Sequence, residues 1–312
     1  MRPGLRICSL LPSATEIVVA LGLGNRLVAV THECDFPPDV ARLPVITRST
    51  LDHETRRSRE VHRHIASALH RGSSVYALDQ DLLAQLDPSL ILTQELCAVC
   101  AVSYDVVEKA VHRLTGERTI LSLEPTSLGG ILETIKQVGE ATGTRERAAA
   151  LIAELQRRID GIAAAAMAAR QRPRVFAMEW LDPPFTAGHW VPEMVRLAGG
   201  HDDLAREGSP SSQIAWDRIV DDDPEIIVLM PCGLTVERTI EEFAEVEPPE
   251  AWYHLAAVRS RHVYAVNGSA YFNRPGPRIV EGLQILAEII HPEVVSRTTP
   301  HDAWRHLEDR GP

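Results

Sequence analysis

The apolar positions of this chain fall into short unbroken runs separated by longer stretches of helical spacing. Leu86-Asp-Pro-Ser-Leu-Ile-Leu92 ends in such a run. Ile219-Val-Asp-Asp-Asp-Pro-Glu-Ile-Ile-Val-Leu-Met-Pro-Cys-Gly233 repeats the grammar in the second half. A short apolar run after Asp-Pro reads as a buried parallel strand, because a strand covered on both faces shows no polar alternation. Strands are expected at Arg6–Leu11, Arg26–Thr31, Ser74–Leu78, Ser89–Thr93, Thr119–Leu123, Arg174–Glu179, Ile226–Met230 and His262–Val266. Helices are expected after Pro12, with Ser13 and Glu16 spaced as a capping box, and at Asp81–Leu86, Ser103–Leu114, Val191–Ala198 and Pro277–Ile290. This alternation predicts an α/β fold with mostly parallel sheets and helices on both faces.

One stretch breaks the rhythm. Leu151, Leu155, Ile159 and Ile162 recur at helical intervals, with alanines filling most positions between them. They predict a single helix over Thr144–Arg170, about 27 residues and ~40 Å long. That is too long for one crossover in a compact lobe, so the expected organisation is two Rossmann-like lobes joined by one long rigid helix. The boundaries are a first lobe at 1–142, the linking helix at 143–172, a second lobe at 173–292 and a peripheral tail at 293–312.

Composition narrows the function classes. A chain of 312 residues, 45% hydrophobic and 24% charged, has room for two proper cores. The net charge of −11, with no long basic run to offset it, argues against a nucleic-acid partner. No segment approaches the ~20 apolar residues of a membrane span, so membrane insertion is not expected. The start, Met1-Arg-Pro-Gly4, lacks the apolar core of a signal peptide, so the expectation is a cytoplasmic protein, or a periplasmic or extracellular one if an export segment has been removed. Five cysteines, an odd number, fit reduced thiols better than a disulfide framework.

In open α/β sheets ligands gather past the carboxyl ends of the strands. There the first half presents Gln94, Glu95 and the Cys-x-x-Cys pair Cys97 and Cys100, and the second half presents Cys232. Trp180, Phe185, His189 and Trp190 crowd one loop of a protein with only 5% aromatics, which suits a flat ligand or a lobe core. Tyr271 and Phe272 are adjacent aromatics in another loop, and Arg274 there suits a carboxylate, a phosphate or an amide-rich rim, or loop carbonyls. Three readings of Cys97 and Cys100 stand together. They are redox-active, they ligate a metal with Cys34, His32 or Cys232, or they pack as small apolar groups. No Gly-x-Gly-x-x-Gly, phosphate loop or Gly-x-Ser-x-Gly elbow is present.

Taken together, Ser9-Leu-Leu-Pro-Ser-Ala-Thr-Glu-Ile17, Asp35-Phe-Pro-Pro38, Asp87-Pro-Ser-Leu-Ile-Leu92, the long helix, Pro183-Pro-Phe-Thr-Ala-Gly188, Leu197-Ala-Gly-Gly200 and Arg274-Pro-Gly-Pro-Arg278 resemble the cobalamin/iron-siderophore periplasmic-binding-protein family, most of all its cobalamin-binding members. The resemblance covers about residues 5–290. It implies a non-catalytic carrier that clamps a corrinoid such as cobalamin between its lobes with little hinge motion. It places Trp180 or its loop neighbours, with Tyr271 and Phe272, against the corrin, and Asp35, Phe36 and the segment after Thr93 on the other lobe. Haem or a metal-siderophore is the alternative ligand, and a cysteine-dependent metal or redox enzyme on the same scaffold is the rival class. The family also implies an ABC permease as partner, docked through acidic residues, but this chain has Arg196 where an acid is expected.

Overall fold

The computed structural model describes residues 4–49, 57–70, 76–94 and 118–307. The chain divides into two compact units, 1–125 with 129–154 and 126–128 with 155–312. The strands of the first unit are β1 Ile7–Ser9, β2 Leu27–Ala29, β3 Thr47–Ser49, β4 Tyr76–Leu78, β5 Leu90–Thr93 and β6 Thr119–Ser122. Four of them form one parallel sheet in the order β2-β1-β5-β6, while β3 and β4 pair as an antiparallel ribbon. All four residues of β5 are buried, as its unbroken apolar run requires. The turn before it is set by two aspartates. The side chain of Asp79 accepts from Leu82 N–H to start helix Gln80–Leu86, and Asp87 ends that helix in the left-handed region at φ 44°.

The second unit adds β7 Val175–Leu181, β8 Pro184–Thr186, β9 Ile226–Leu229, β10 Val263–Val266 and β11 Trp304–His306, ordered β11-β10-β9-β7-β8. The central three run parallel and the two edge strands run antiparallel to their neighbours. Phe176, Met178, Ile219, Ile227, Leu229 and Trp252 fill the core on one face. Helix Ile279–Ile290 is buried along most of its length. Leu197-Ala-Gly-Gly200 has a steric reason to end in glycines. Gly199 sits at φ 87°, and a Cβ there would lie 2.6 Å from Nε2 of His291, while one on Gly200 would lie 2.6 Å from Val175.

Several expectations change in detail. Ser13 and Glu16 do not form a capping box. Helix Pro12–Ala20 starts on Pro12 with Leu11 as N-cap and no side-chain cap, because a proline at the first position already removes one orphan N–H. Both side chains are buried instead. The long helix is Arg145–Met167, 23 residues, and the division between the two units falls inside it. Helix Leu128–Thr142 precedes it. Within the expected tail, Trp304–His306 joins the sheet as an edge strand, tied back by Glu288, which accepts from Thr298, Thr299 and Trp304 Nε1. The expected helix at 103–114 lies outside the described residues.

Candidate functional site

Because β7, β9 and β10 are parallel, their carboxyl ends reach the same edge of the second sheet. Three loops meet there. The first leaves β7 through Asp182–Pro183, a cis peptide, returns as β8 and runs to helix Val191–Leu197. The second follows β9 at Met230-Pro-Cys-Gly233, and its Cys232 N–H donates to Glu179 O at 3.2 Å. The third follows β10, where Asn267 caps the short helix Gly268–Tyr271. Gly268 is needed for this convergence, since a Cβ there would lie 2.5 Å from Pro231 O.

The aromatics expected in these loops separate into two groups. Trp180 and Phe185 face one another in the β7–β8 register, and with His189 and Tyr271 they are half-buried, keeping some surface outward. The Nε1–H donor of Trp180 is shielded from solvent and has no acceptor among the described residues. Trp190 and Phe272 belong to the interior. Phe272 is fully buried, Trp190 is 7% exposed, and Trp190 Nε1–H donates to Phe272 O at 2.8 Å, joining the first loop to the third. Arg274 is also buried and donates to Ser269 Oγ at 3.2 Å, bracing its own loop. Cys232 is a half-buried free thiol.

His189 adopts φ 53° and stacks on Trp190 with ring centroids 5.6 Å apart. Burial lowers its pKa, which keeps the imidazole neutral near pH 7 and leaves one nitrogen lone pair available. Sequence reading missed two carboxylates. As whole residues Glu179 and Asp202 keep partial exposure, but their carboxyl groups lie inward, and burial pushes both up to about 7. Glu179 Oε2 accepts from Gly188 N–H at 3.0 Å, and Asp202 accepts from the N–H groups of Ala177, Leu204 and Ala205.

In the first unit, Asp35 and Phe36 follow β2 on the surface, Phe36 being 41% exposed, and Gln94 follows β5 buried. Cys34 is not at the surface. Its sulfur lies 3.1 Å from Thr15 Oγ1 and 3.3 Å from Thr31 Oγ1. His32 Nδ1 lies 2.8 Å from Thr47 Oγ1. Cys97 and Cys100 lie outside the described residues. Among the described residues no three His, Cys, Asp or Glu side chains group as a metal site.

The profile of the family described as "Periplasmic binding protein" matches residues 7–270. The chain belongs to that family. A vitamin B12-binding protein of Vibrio cholerae is 26% identical over 285 residues, covering 90% of this chain and 87% of that one. An uncharacterised ABC transporter substrate-binding lipoprotein of Bacillus subtilis is 24% identical over 293 residues, covering 92% and 80%. A periplasmic heme-binding protein of Pseudomonas aeruginosa shares the fold, with TM-score 0.71 and 20% identity over 98% of this chain and 99% of that one. Membership in a periplasmic family leaves the expected cytoplasmic location without support and agrees with the exported alternative. No described helix is long and apolar enough to cross a membrane.

Proposed function

We propose that this periplasmic binding protein is a non-catalytic carrier of a corrinoid of the cobalamin type, bound at the carboxyl edge of the second sheet. The observation that carries the reading is the set of half-buried rings on these loops, Trp180 paired with Phe185 in the β7–β8 register, with His189 and Tyr271. Broad apolar ring faces with few fixed polar groups suit a large flat ligand. The vitamin B12-binding relative supports the corrinoid. Trp180, Phe185, His189 and Tyr271 are its contacts in this unit, with Trp190, Phe272 and Arg274 as the frame behind them and Cys232 at the margin. Asp35, Phe36 and Gln94 are the contacts in the first unit. Cys97 and Cys100, outside the described residues, are kept as candidate contacts on their sequence alone.

Haem is the second reading, favoured by the neutral imidazole of His189, a ligand that iron accepts, and by the heme-binding neighbour. An ABC permease is the partner, on the strength of the Bacillus subtilis relative. At Arg196 the docking face carries an ion pair in place of a lone acid, since Arg196 Nε donates to Glu207 Oε1 at 2.6 Å. Fluorescence titration with cyanocobalamin tests the reading. Saturable quenching is expected, and Trp180→Ala should weaken binding by roughly 1–3 kcal/mol. An unchanged Kd removes Trp180 from the site.

A further inference from the structure

We propose that Glu179 is a positioning residue that holds the Phe185–Trp190 segment in its ligand-binding pose, a role that rests on the function proposed above. Glu179 stands near the end of β7 and touches three segments at once. Its carbonyl oxygen accepts from Cys232 N–H, which fixes the loop after β9. Its Oε2 accepts from Gly188 N–H, and the Ser211 side chain hydrogen-bonds the same carboxylate. Among the described residues no cation pairs with it. A carboxylate turned inward is unfavourable unless hydrogen bonds meet it, and here the bonds come from the two segments that shape the site.

Those segments are laced along their length. Ser212 O accepts from Thr186 N–H at 2.9 Å, Ser209 O from His189 N–H at 2.6 Å, and Pro184 O from Ile214 N–H at 2.9 Å. An ideal Cβ on Gly188 would lie 2.2 Å from Ser211 N, so the two main chains touch directly. Phe185 and His189 flank this contact. The left-handed φ of His189 is a conformation that a non-glycine residue keeps only where its surroundings over-determine it. His189 is held at its own N–H by Ser209 O and at its carbonyl by Gly208 N–H, and the bond from Gly188 to Glu179, one residue away, adds the third constraint. Residue 179 therefore acts through the loop without touching the ligand.

The test combines affinity for cyanocobalamin with amide exchange in the full chain. Glu179→Ala is expected to weaken binding about tenfold, as one lost buried acceptor does. Glu179→Gln keeps an acceptor for Gly188 and should stay within about threefold. In a Phe185→Ala/His189→Ala background the added effect of Glu179→Ala should fall below about twofold, because coupled residues are not additive. Equal losses in both backgrounds, or an unchanged Kd in folded Glu179→Ala, overturn the proposal.

Hydrogen exchange at the Gly188 amide provides a ligand-free reading, faster by roughly tenfold in Glu179→Ala than in Glu179→Gln. Equal protection in the two variants overturns the positioning role whatever the ligand. If wild type ignores cyanocobalamin but the exchange difference persists, the corrinoid reading fails and the positioning role stands. Should Glu179→Ala not fold, Ser211→Ala replaces it and is expected to speed Gly188 exchange about threefold. No change there overturns the proposal as well.

Discussion

The carboxyl edges of the two sheets share one grammar and differ in chemistry. At the first, Ser9, Thr15, Thr31 and Cys34 form a small buried network in which Thr15 Oγ1–H donates to Ser9 Oγ at 2.8 Å, and each group finds its partner within the unit. Burial, with the neighbouring Cys34 thiol, pushes Cys8 up to about 12, so it stays an inert thiol. At the second edge, half-buried rings lie near a buried donor without an acceptor among the described residues, and one inward carboxylate, Glu179, ties down the loop that carries Phe185 and His189. A buried hydroxyl network stabilises a fold, whereas half-exposed rings are a surface that a ligand can cover. Buried unpaired polar atoms do not separate the edges, since Thr93 Oγ1 at the end of β5 lacks a partner among the described residues just as Trp180 Nε1 does.

The sharpest way to break this contrast is to crowd a glycine in each unit. Gly188→Ala forces a Cβ to within 2.2 Å of Ser211 N and 2.7 Å of Pro210 C, both backbone, which should cost about 3 kcal/mol or more and abolish ligand binding. Gly139→Ala brings a Cβ to 2.5 Å of Ala148 Cβ in the first unit and should lower stability while Kd stays within about twofold. Thermal melts and titration on both variants check the pair. Binding that survives Gly188→Ala breaks the link between loop geometry and ligand.

Next in size is the pH response. Glu179 and Asp202 ionise only near pH 7 in the folded chain, against ordinary values of 4.5 and 3.8. Between those limits the folded state binds more protons than the unfolded one, so stability falls as pH rises from about 4 to about 7 and then levels off, by a few kcal/mol in total. Glu288 is shifted the other way, downward, by hydrogen bonds from Thr299, Thr298 and Gln284 acting against burial, and its contribution is lost only in more acid solution. Chemical denaturation at pH 5 and pH 8 should show the difference, and Glu179→Gln/Asp202→Asn should flatten it. An equal slope in that double variant removes the two carboxylates as its source.

The smallest expected effect belongs to the first edge. Thr15→Val removes hydroxyl bonds to Ser9 and Cys34 and should cost about 1–2 kcal/mol of stability with Kd within about twofold. A large loss of affinity in this variant would place the first edge, not the second, at the heart of binding.

Which of these features the sequence displays follows from physics. The strands around Leu90–Thr93, Ile226–Leu229 and Val263–Val266 are buried on both faces, so their apolar runs are legible without a structure. The Arg145–Met167 helix is legible for its periodicity, although its last turn ends earlier than expected. Strand β8 is hidden because Pro183-Pro184 reads as a loop, and proline is tolerated there only because the strand is an edge. Trp190 and Trp180 look alike in sequence, and only packing separates the interior ring from the half-exposed one. Glu179 and Asp202 read as ordinary surface acids, since a sequence shows neither the turn that brings Gly188 N–H back onto Glu179 nor the strand N–H of Ala177 that joins the local donors Leu204 and Ala205 on Asp202.

The most direct test of the central claim is equilibrium binding of cyanocobalamin and of haemin to the full chain under one set of conditions, followed by absorbance and tryptophan fluorescence. The corrinoid assignment requires saturable one-to-one binding of cyanocobalamin, at least about tenfold tighter than haemin, which corresponds to ~1.4 kcal/mol of discrimination. Tight haemin binding with a spectral shift that His189→Ala abolishes, and no response to cyanocobalamin, would contradict it.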